Sequence, residues 1–519
     1  MAMPRAQRSS STPALKRSTR RSANAAPLVL RANPHLYEIN TWAWLEELSA
    51  RLGREVKLGD VPEQEWDALR ERGFDVVWLM GIYQRSAAAR QLALEPGSAK
   101  QYATALPDWR PEDVVGSPYS VPAYKPDPRI GAWRDVDSVR KKLHARGMAL
   151  FLDFVGNHTA LDHPWARQHP EFYVQGTQQD FDKDPASFYR VEAKTGTVFL
   201  ARGRDPYFPP WQDTLQLNHF HPGMRAAHLA DLQTIARHCD GVRCDMAMLQ
   251  LNDIFARLWS TFLPAGMTAP ETEFWTEAKK TAPDLVLLAE AYWGTEARLL
   301  NLGFSFVYDK DLYDAVRDLN LGGVRSRLGV PMSTQSRFAR FMENHDEPRC
   351  AVTFGGARLQ ALGTLMSTVP GMRFYHQGEL EGRKIFLPIQ LRRAAAEEPD
   401  PAVVAFFGKI LHVTNEDAFH TGAWALLEVT AEGDATSGNL IAYEWRSDTA
   451  WKIIVTNLSG GASQGRIPLG ERVSASKQYI FDDQLNGAQY QRDGNELHGI
   501  GLFVRRDAFG AHLFDVHLL

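Results

Sequence analysis

Short apolar runs recur along most of the chain, and each is followed by residues with helical spacing. The runs lie at 36–40, 75–80, 148–154, 241–246, 285–290, 304–309, 340–344 and 372–376. Amphipathic stretches at 136–147, 224–239 and 358–368 stand between them. Strands that alternate with helices predict parallel βαβ units. Eight such units close as an α/β fold of the TIM (β/α)8 barrel type. The rival, an open doubly wound sheet, needs a Gly-rich phosphate loop after its first strand, and none follows Asn40. About 60 residues rich in Asp, Pro and aromatics separate the third strand from the helix opening near Pro222, too many for an ordinary βα loop. They predict a small irregular inserted domain. After Thr421 the helical pattern stops, and alternating runs at 440–445, 451–458, 478–483, 499–506 and 511–516 predict an antiparallel β-sandwich. The expected division is barrel over 28–158 and 218–415, insert over 159–217 and sandwich over 421–519.

Composition alters this picture little. Of the 519 residues 44% are hydrophobic and 23% charged, with a net charge of -4. That is ordinary for a globular enzyme and gives no reason to expect nucleic acid or an anionic membrane as partner. Oligomeric state has no signature in the pattern. Three cysteines without metal-ligand spacing exclude a disulfide framework, and a reducing, cytoplasmic setting is the expectation. Residues 1–27 differ from the rest, with five Arg, one Lys and no acid. They read as a disordered basic tail; an organelle transit peptide is the alternative.

Chemistry concentrates at the ends of the strands, where barrel enzymes carry their catalytic groups. Arg243 and Asp245 lie two apart on one strand and so share a face. A nearby Arg lowers a carboxyl pKa, which predicts an ionised Asp245. Alone, an Arg-x-Asp is more often a structural salt bridge. Here three other strands end in polar sets: Asp153 to His158, Glu290 to Tyr292, and Glu343 to Asp346. Four acid-bearing strand ends at one mouth repel one another, which a purely structural role does not explain. Two carboxylates, one ionised and one protonated, are what glycoside cleavage requires. Asp245 suits the nucleophile. Glu290, after an apolar run and beside other acids, suits a protonated general acid. Asp346 is a third acid, and His158 and His345 are candidate donors to sugar hydroxyls.

These residues resemble the signature regions of the α-amylase family of retaining glycoside hydrolases. The matching stretches are DFVGNH (153–158), GVRCD (241–245), LLAEAYW around Glu290 and FMENHD (341–346). LQLN (215–218) resembles the region closing the family's inserted domain, and GSPYSVPAY (116–124) its loop after the second strand. The resemblance implies Asp245 as nucleophile, Glu290 as general acid/base and Asp346 as transition-state stabiliser. It implies Arg243, His158, His345 and Tyr119 around the cleaved sugar, with Asp153 in support. A retaining pair lies roughly 5–5.5 Å apart. Asn157 matches a position that often binds structural calcium; the chemistry itself implies no cofactor. Met248 and Leu249 replace a Lys-His pair common in the family, which predicts an apolar acceptor side. Trp44, Trp165, Trp211 and Trp293 are expected near the mouth. The implied function is hydrolysis of α-1,4-linked glucans or malto-oligosaccharides. Alternatives are a transglycosylase or α-glucosidase on the same site, or an inactive binding protein on the fold.

Overall fold

A computed structural model describes residues 29–519; the basic stretch at 1–27 lies outside them. Eight parallel strands form a closed barrel: β1 (His35–Asn40), β2 (Val76–Met80), β3 (Ala149–Val155), β4 (Gly241–Asp245), β5 (Val286–Ala289), β6 (Phe306–Tyr308), β7 (Phe338–Phe341) and β8 (Met372–His376). Each pairs with its neighbours in sequence, and β8 returns to β1. Almost every strand residue is buried. Helices cover the outside and side chains fill the inside, so unbroken apolar runs are the pattern that fits. Leu152, Val242 and Leu287, on the face opposite Asp153 and Arg243, pack under the helices with none or almost none of their surface exposed.

Strand ends turn sharply into the next element. Asn40 ends β1 and caps the helix Thr41–Leu52 by accepting from the Ala43 N–H, and Gly53 closes that helix at φ 66°. At the end of β4 the turn is made by Met246, a non-glycine residue at φ 43°. Neighbouring strands bring Asp153 level with Arg243, and Arg243 level with Leu288. That register sets the polar ends of β3, β4 and β5 side by side.

The insert is more regular than its composition predicts. Gln175–Gly176, Gly196–Ala201 and Phe188–Ala193 form an antiparallel sheet with its own apolar packing around Val191, Phe199 and Leu200. His158–Ala160 pairs antiparallel with Thr214–Gln216, fastening the two ends of the insert together.

The C-terminal region is antiparallel, and its two layers are very unequal. Six strands make one sheet, in the order Ala423–Leu427, Leu440–Arg446, Trp451–Asn457, Ala511–Leu518, Gln478–Asp483, Ala488–Asp493. A two-stranded ribbon, Ser463–Ile467 with Leu502–Arg506, covers one face. The other face belongs to the barrel. Alternation sends Leu440 and Ala442 under the ribbon, and Ile441, Tyr443 and Trp445 into the barrel core. There the Trp445 indole N–H donates to the carbonyl of Thr368, 2.6 Å away, at the end of the helix Gly356–Thr368.

Candidate active site

Arg243 is the centre of the barrel mouth. It has no exposed surface, and its guanidinium reaches two acids at once: Nη1 lies 2.6 Å from Asp245 Oδ1 and Nη2 lies 2.8 Å from Glu290 Oε2. Three aromatic rings, Tyr119, Trp78 and Tyr308, stand 5.1–5.7 Å from its Cζ, and Nε faces the Tyr308 hydroxyl at 3.3 Å. Two adjacent carboxylates raise its pKa against the opposing effect of burial, so it stays charged.

The two acids respond differently from a simple ion pair. Burial raises the Asp245 carboxyl pKa, and the attraction of Arg243 offsets only part of that rise. The sequence-based expectation of a depressed Asp245 is therefore corrected in its net sign. One guanidinium is divided between two carboxylates, and desolvation of a fully enclosed acid outweighs its share. Glu290 is pushed up to about 7, first by burial and then, against Arg243, by the charges of Asp245 and Asp346. Glu290 also accepts from the Met246 N–H at 2.7 Å and faces the Tyr292 hydroxyl at 2.7 Å. Near neutral pH Glu290 is therefore poised both to give up a proton and to take one back.

Asp346 follows β7 and opens to solvent, with 49% of its side chain exposed. Burial of its surroundings pushes its pKa up, but His345 and then Arg243 outweigh this and bring it down to about 2. Water reaching half of the side chain screens that shift without changing its sign. His345 Nε2 lies 3.0 Å from Asp346 Oδ2 and 2.7 Å from the Tyr119 hydroxyl. The Tyr119 and His345 rings stack at 5.2 Å.

Asp153 sits behind these groups. It accepts from the Gly81 N–H at 2.6 Å and the Trp78 indole at 3.0 Å, and burial pushes it up to about 6. His158 presents Nε2 to the Tyr119 carbonyl at 3.2 Å and packs on Trp211 at 5.1 Å; burial lowers its pKa to about 4, so the ring is neutral. The mouth thus gathers Asp245, Glu290, Asp346, Arg243, His345 and Tyr119, with Asp153 and His158 adjoining.

The acceptor side departs from expectation, and Asn157 is engaged within the protein. The Gln216 side-chain amide donates to Asn157 Oδ1 at 2.9 Å and to the Asn157 backbone carbonyl at 3.0 Å. Its neighbour His219 is a buried imidazole facing the Asn157 backbone. Calcium favours several oxygen ligands, carboxylates foremost; an amide already paired and an imidazole do not fit it. Among the described residues, no cluster of three or more His, Cys, Asp or Glu side chains is placed to hold a metal ion. Met248 and Leu249 lie in a tight 3-10 turn, fully packed in the core, and do not line the acceptor side. Trp44 packs on Trp66 and Trp165 on Phe172. Trp293 alone of the four stands substantially exposed, at 39%, edge-to-face with Tyr207 at 5.3 Å. With Pro206, Ile254 and Leu258 they line a cavity of about 360 Å³. Glu38 and Trp78 escaped the sequence reading because they sit within their strands, and Tyr308 because the end of β6 is marked by no acid beside it in the site. Period-two alternation into the barrel interior was the available signal.

A closed parallel barrel with an insert after β3 and a C-terminal antiparallel sheet defines a multidomain (β/α)8-barrel protein. The model of the alpha-amylase catalytic domain matches residues 63–240, which end just before β4. Alpha-amylase MalA of Haloarcula japonica is 23% identical over 356 residues, covering 66% of this chain and 47% of that protein. A probable oligo-1,6-glucosidase 2 of Bacillus subtilis is 22% identical over 370 residues, 60% and 59% of the two chains. The chain spans about half the length of the first curated relatives it matches. A solved maltogenic alpha-amylase, AmyB from Thermotoga neapolitana, superposes with a TM-score of 0.65 at 18% identity, over 94% of this chain and 99% of its own. The isomaltulose synthase of Klebsiella sp. gives 0.62 at 16%, over 93% and 99%. Over residues 63–240 the chain is similar to the alpha-amylase catalytic domain, and it shares the fold of solved alpha-amylases.

Proposed function

We propose that the protein is a retaining α-glycoside hydrolase acting on α-1,4-linked glucans or malto-oligosaccharides. One observation carries the reading: Asp245 and Glu290 share a single buried guanidinium, while burial and like charge raise Glu290 to about 7. A fixed carboxylate next to a protonated carboxyl is the pair that retaining cleavage uses. Asp245 attacks the anomeric carbon as Glu290 protonates the departing glycosidic oxygen, leaving a glycosyl ester on Asp245. Glu290, now a carboxylate, takes a proton from water, which attacks the same carbon and frees Asp245. Asp346, held anionic by His345, lies where an oxocarbenium-like charge develops. Tyr119 offers a ring face to the sugar, and the single N–H of the neutral His158 holds the Tyr119 carbonyl in place.

The test joins product chemistry to the named acids. With maltoheptaose, chromatography shows only shorter sugars, and NMR of early product shows the α-anomer. A slow fluorinated α-glucoside leaves a mass increment on the peptide containing Asp245. A β-anomeric product, or label on another residue, overturns the reading. A second reading, transfer of the glycosyl group to a sugar, draws on the exposed Tyr207–Trp293 pair and its cavity beside the acid-bearing β5 loop. Products longer than maltoheptaose identify it.

A further inference from the structure

Glu38 lies on β1, on the opposite side of the barrel from β5, and has no exposed surface. Its Oε1 is hydrogen-bonded to His345 Nδ1, and its Oε2 is enclosed without any partner. His345 therefore has an acceptor at each nitrogen: the Glu38 carboxylate at Nδ1, and at Nε2 the Asp346 carboxylate with the Tyr119 hydroxyl. A neutral imidazole has one N–H and cannot donate at both ends; an imidazolium can. Trp78 stands edge-on to the ring at 5.6 Å and Tyr119 stacks on its face, so the ring cannot turn away.

We propose that Glu38 is a positioning residue that holds His345 as an imidazolium, and through it fixes Asp346 as an anion at the mouth. This rests on the hydrolase reading for its purpose but not for its chemistry. The other charged or titratable groups around His345 are Asp153 on β3, Asp245 at the end of β4, Arg243 across the Tyr119 ring, and Arg349, His376 and Arg383, which line one cavity with it. The two acids reinforce the cationic ring, and Arg243 opposes it. Direct hydrogen bonds come from Glu38 and Asp346 alone among the carboxylates. Glu38 thus acts through His345 and touches no substrate itself. Its charge is placed on the far side of the imidazole from the reacting sugar, where it holds the proton without competing for the pocket. The arrangement also explains a lone acid in a strand whose other side chains are mostly apolar or amide.

Glu38→Gln tests the proposal, because it keeps the shape and removes the charge. Its amide can donate to Nδ1, which turns His345 into the neutral tautomer with a single N–H at Nε2. The readout is the 15N shift of the His345 ring, assigned by comparison with His345→Gln. In the wild type both nitrogens stay protonated throughout the range where a free histidine titrates. In Glu38→Gln the ring titrates within that range, and kcat falls by about tenfold or more, as for other partners standing behind a working imidazole. KM changes less, because Glu38 does not meet the sugar. Glu38→Asp, with the charge retained, restores part of the loss. A wild-type His345 that is neutral at about pH 7 overturns the proposal whatever the variant does. So does a folded Glu38→Gln enzyme whose ring shifts and pH profile match the wild type. Failure of the hydrolase reading instead shows as a wild type inactive on α-glucans with its ring shifts as expected.

Discussion

The backbone N–H of Met246 lies 2.7 Å from Oε2 of Glu290. Met246 is the residue directly after Asp245, and its φ of 43° places it in the left-handed region. A strained turn at the end of β4 thereby ties the backbone beside one acid to the side chain of the other. Valine is a poor occupant of that region because its branched Cβ meets the backbone. Met246→Val is expected to lower stability by about 1–2 kcal/mol and to reduce kcat, whereas Met246→Gly keeps kcat close to wild type. Urea unfolding and initial rates check both.

Replacing Arg243 by Leu leaves two enclosed carboxylates without their shared cation. The expected loss is about 3–5 kcal/mol of stability, measured by denaturant titration. Both carboxyl pKa values rise further, so the acidic limb of the kcat/KM profile, set by ionisation of Asp245, moves to higher pH. An unmoved acidic limb in a folded variant means that Arg243 does not govern Asp245.

Glu290 makes folding depend on pH in a definite direction. Its pKa rises from an ordinary 4.5 to about 7 on folding. Between these values the folded state keeps a proton that the unfolded chain releases, so the unfolded state binds fewer protons and stability falls as pH rises. The contribution is fully present below 4.5 and lost as pH passes through about 7. Glu290→Gln removes this slope, and its stability relative to wild type grows from acid to neutral pH. Unfolding free energies at several pH values check the sign.

Tyr207 and Trp293 present ring surface to solvent on the side of the mouth beyond Glu290. Stacking of a sugar there is worth about 1 kcal/mol per ring. Trp293→Ala is expected to raise KM for maltoheptaose severalfold and to leave kcat on a small activated glucoside unchanged. Equal KM values in variant and wild type exclude sugar contact at Trp293.

Trp445 joins the C-terminal sheet to the barrel. Trp445→Ala removes a fully buried ring and its hydrogen bond to Thr368, and is expected to cost about 4 kcal/mol. Thermal unfolding measures it. The loss should appear in the transition that also ends activity, because the ring packs in the barrel core.

Much of this architecture was legible because its physics is periodic. Each barrel strand is buried on both faces, which writes a continuous apolar run into the sequence, and the polar residues that end those runs are the acids of the mouth. Elements held by other forces were missed. Ala488–Asp493 is an edge strand whose side chains alternate between half-buried and exposed, so AQYQRD shows no apolar face. The ribbon strand Ser463–Ile467 is similarly polar. Met248 and Leu249 looked like an acceptor surface because sequence spacing cannot tell that the chain tightens into a 3-10 turn and draws them inward. Glu38 was passed over as one acid inside a strand, since its partner His345 is 307 residues away. The sign of the Asp245 shift depends on how one cation is divided and how deeply the acid is enclosed. Neither quantity is written locally.

The sharing of one sheet between two cores has a bearing on how the chain is made. Leu513, on the strand Ala511–Leu518, packs in the same core as the barrel strands, and that strand sits in the middle of the six-stranded sheet, between Trp451–Asn457 and Gln478–Asp483. During synthesis from the N-terminus, all eight barrel strands emerge long before it does. Until it arrives, the sheet is split at its centre, and Ile441, Tyr443 and Trp445 face the barrel from an incomplete support. A ribosome stalled before residue 511 therefore holds a chain with every acid of the mouth already translated and an apolar flank still open. Nascent chains shorter than this keep the apolar flank of Ile441, Tyr443 and Trp445 without the strand that completes its sheet.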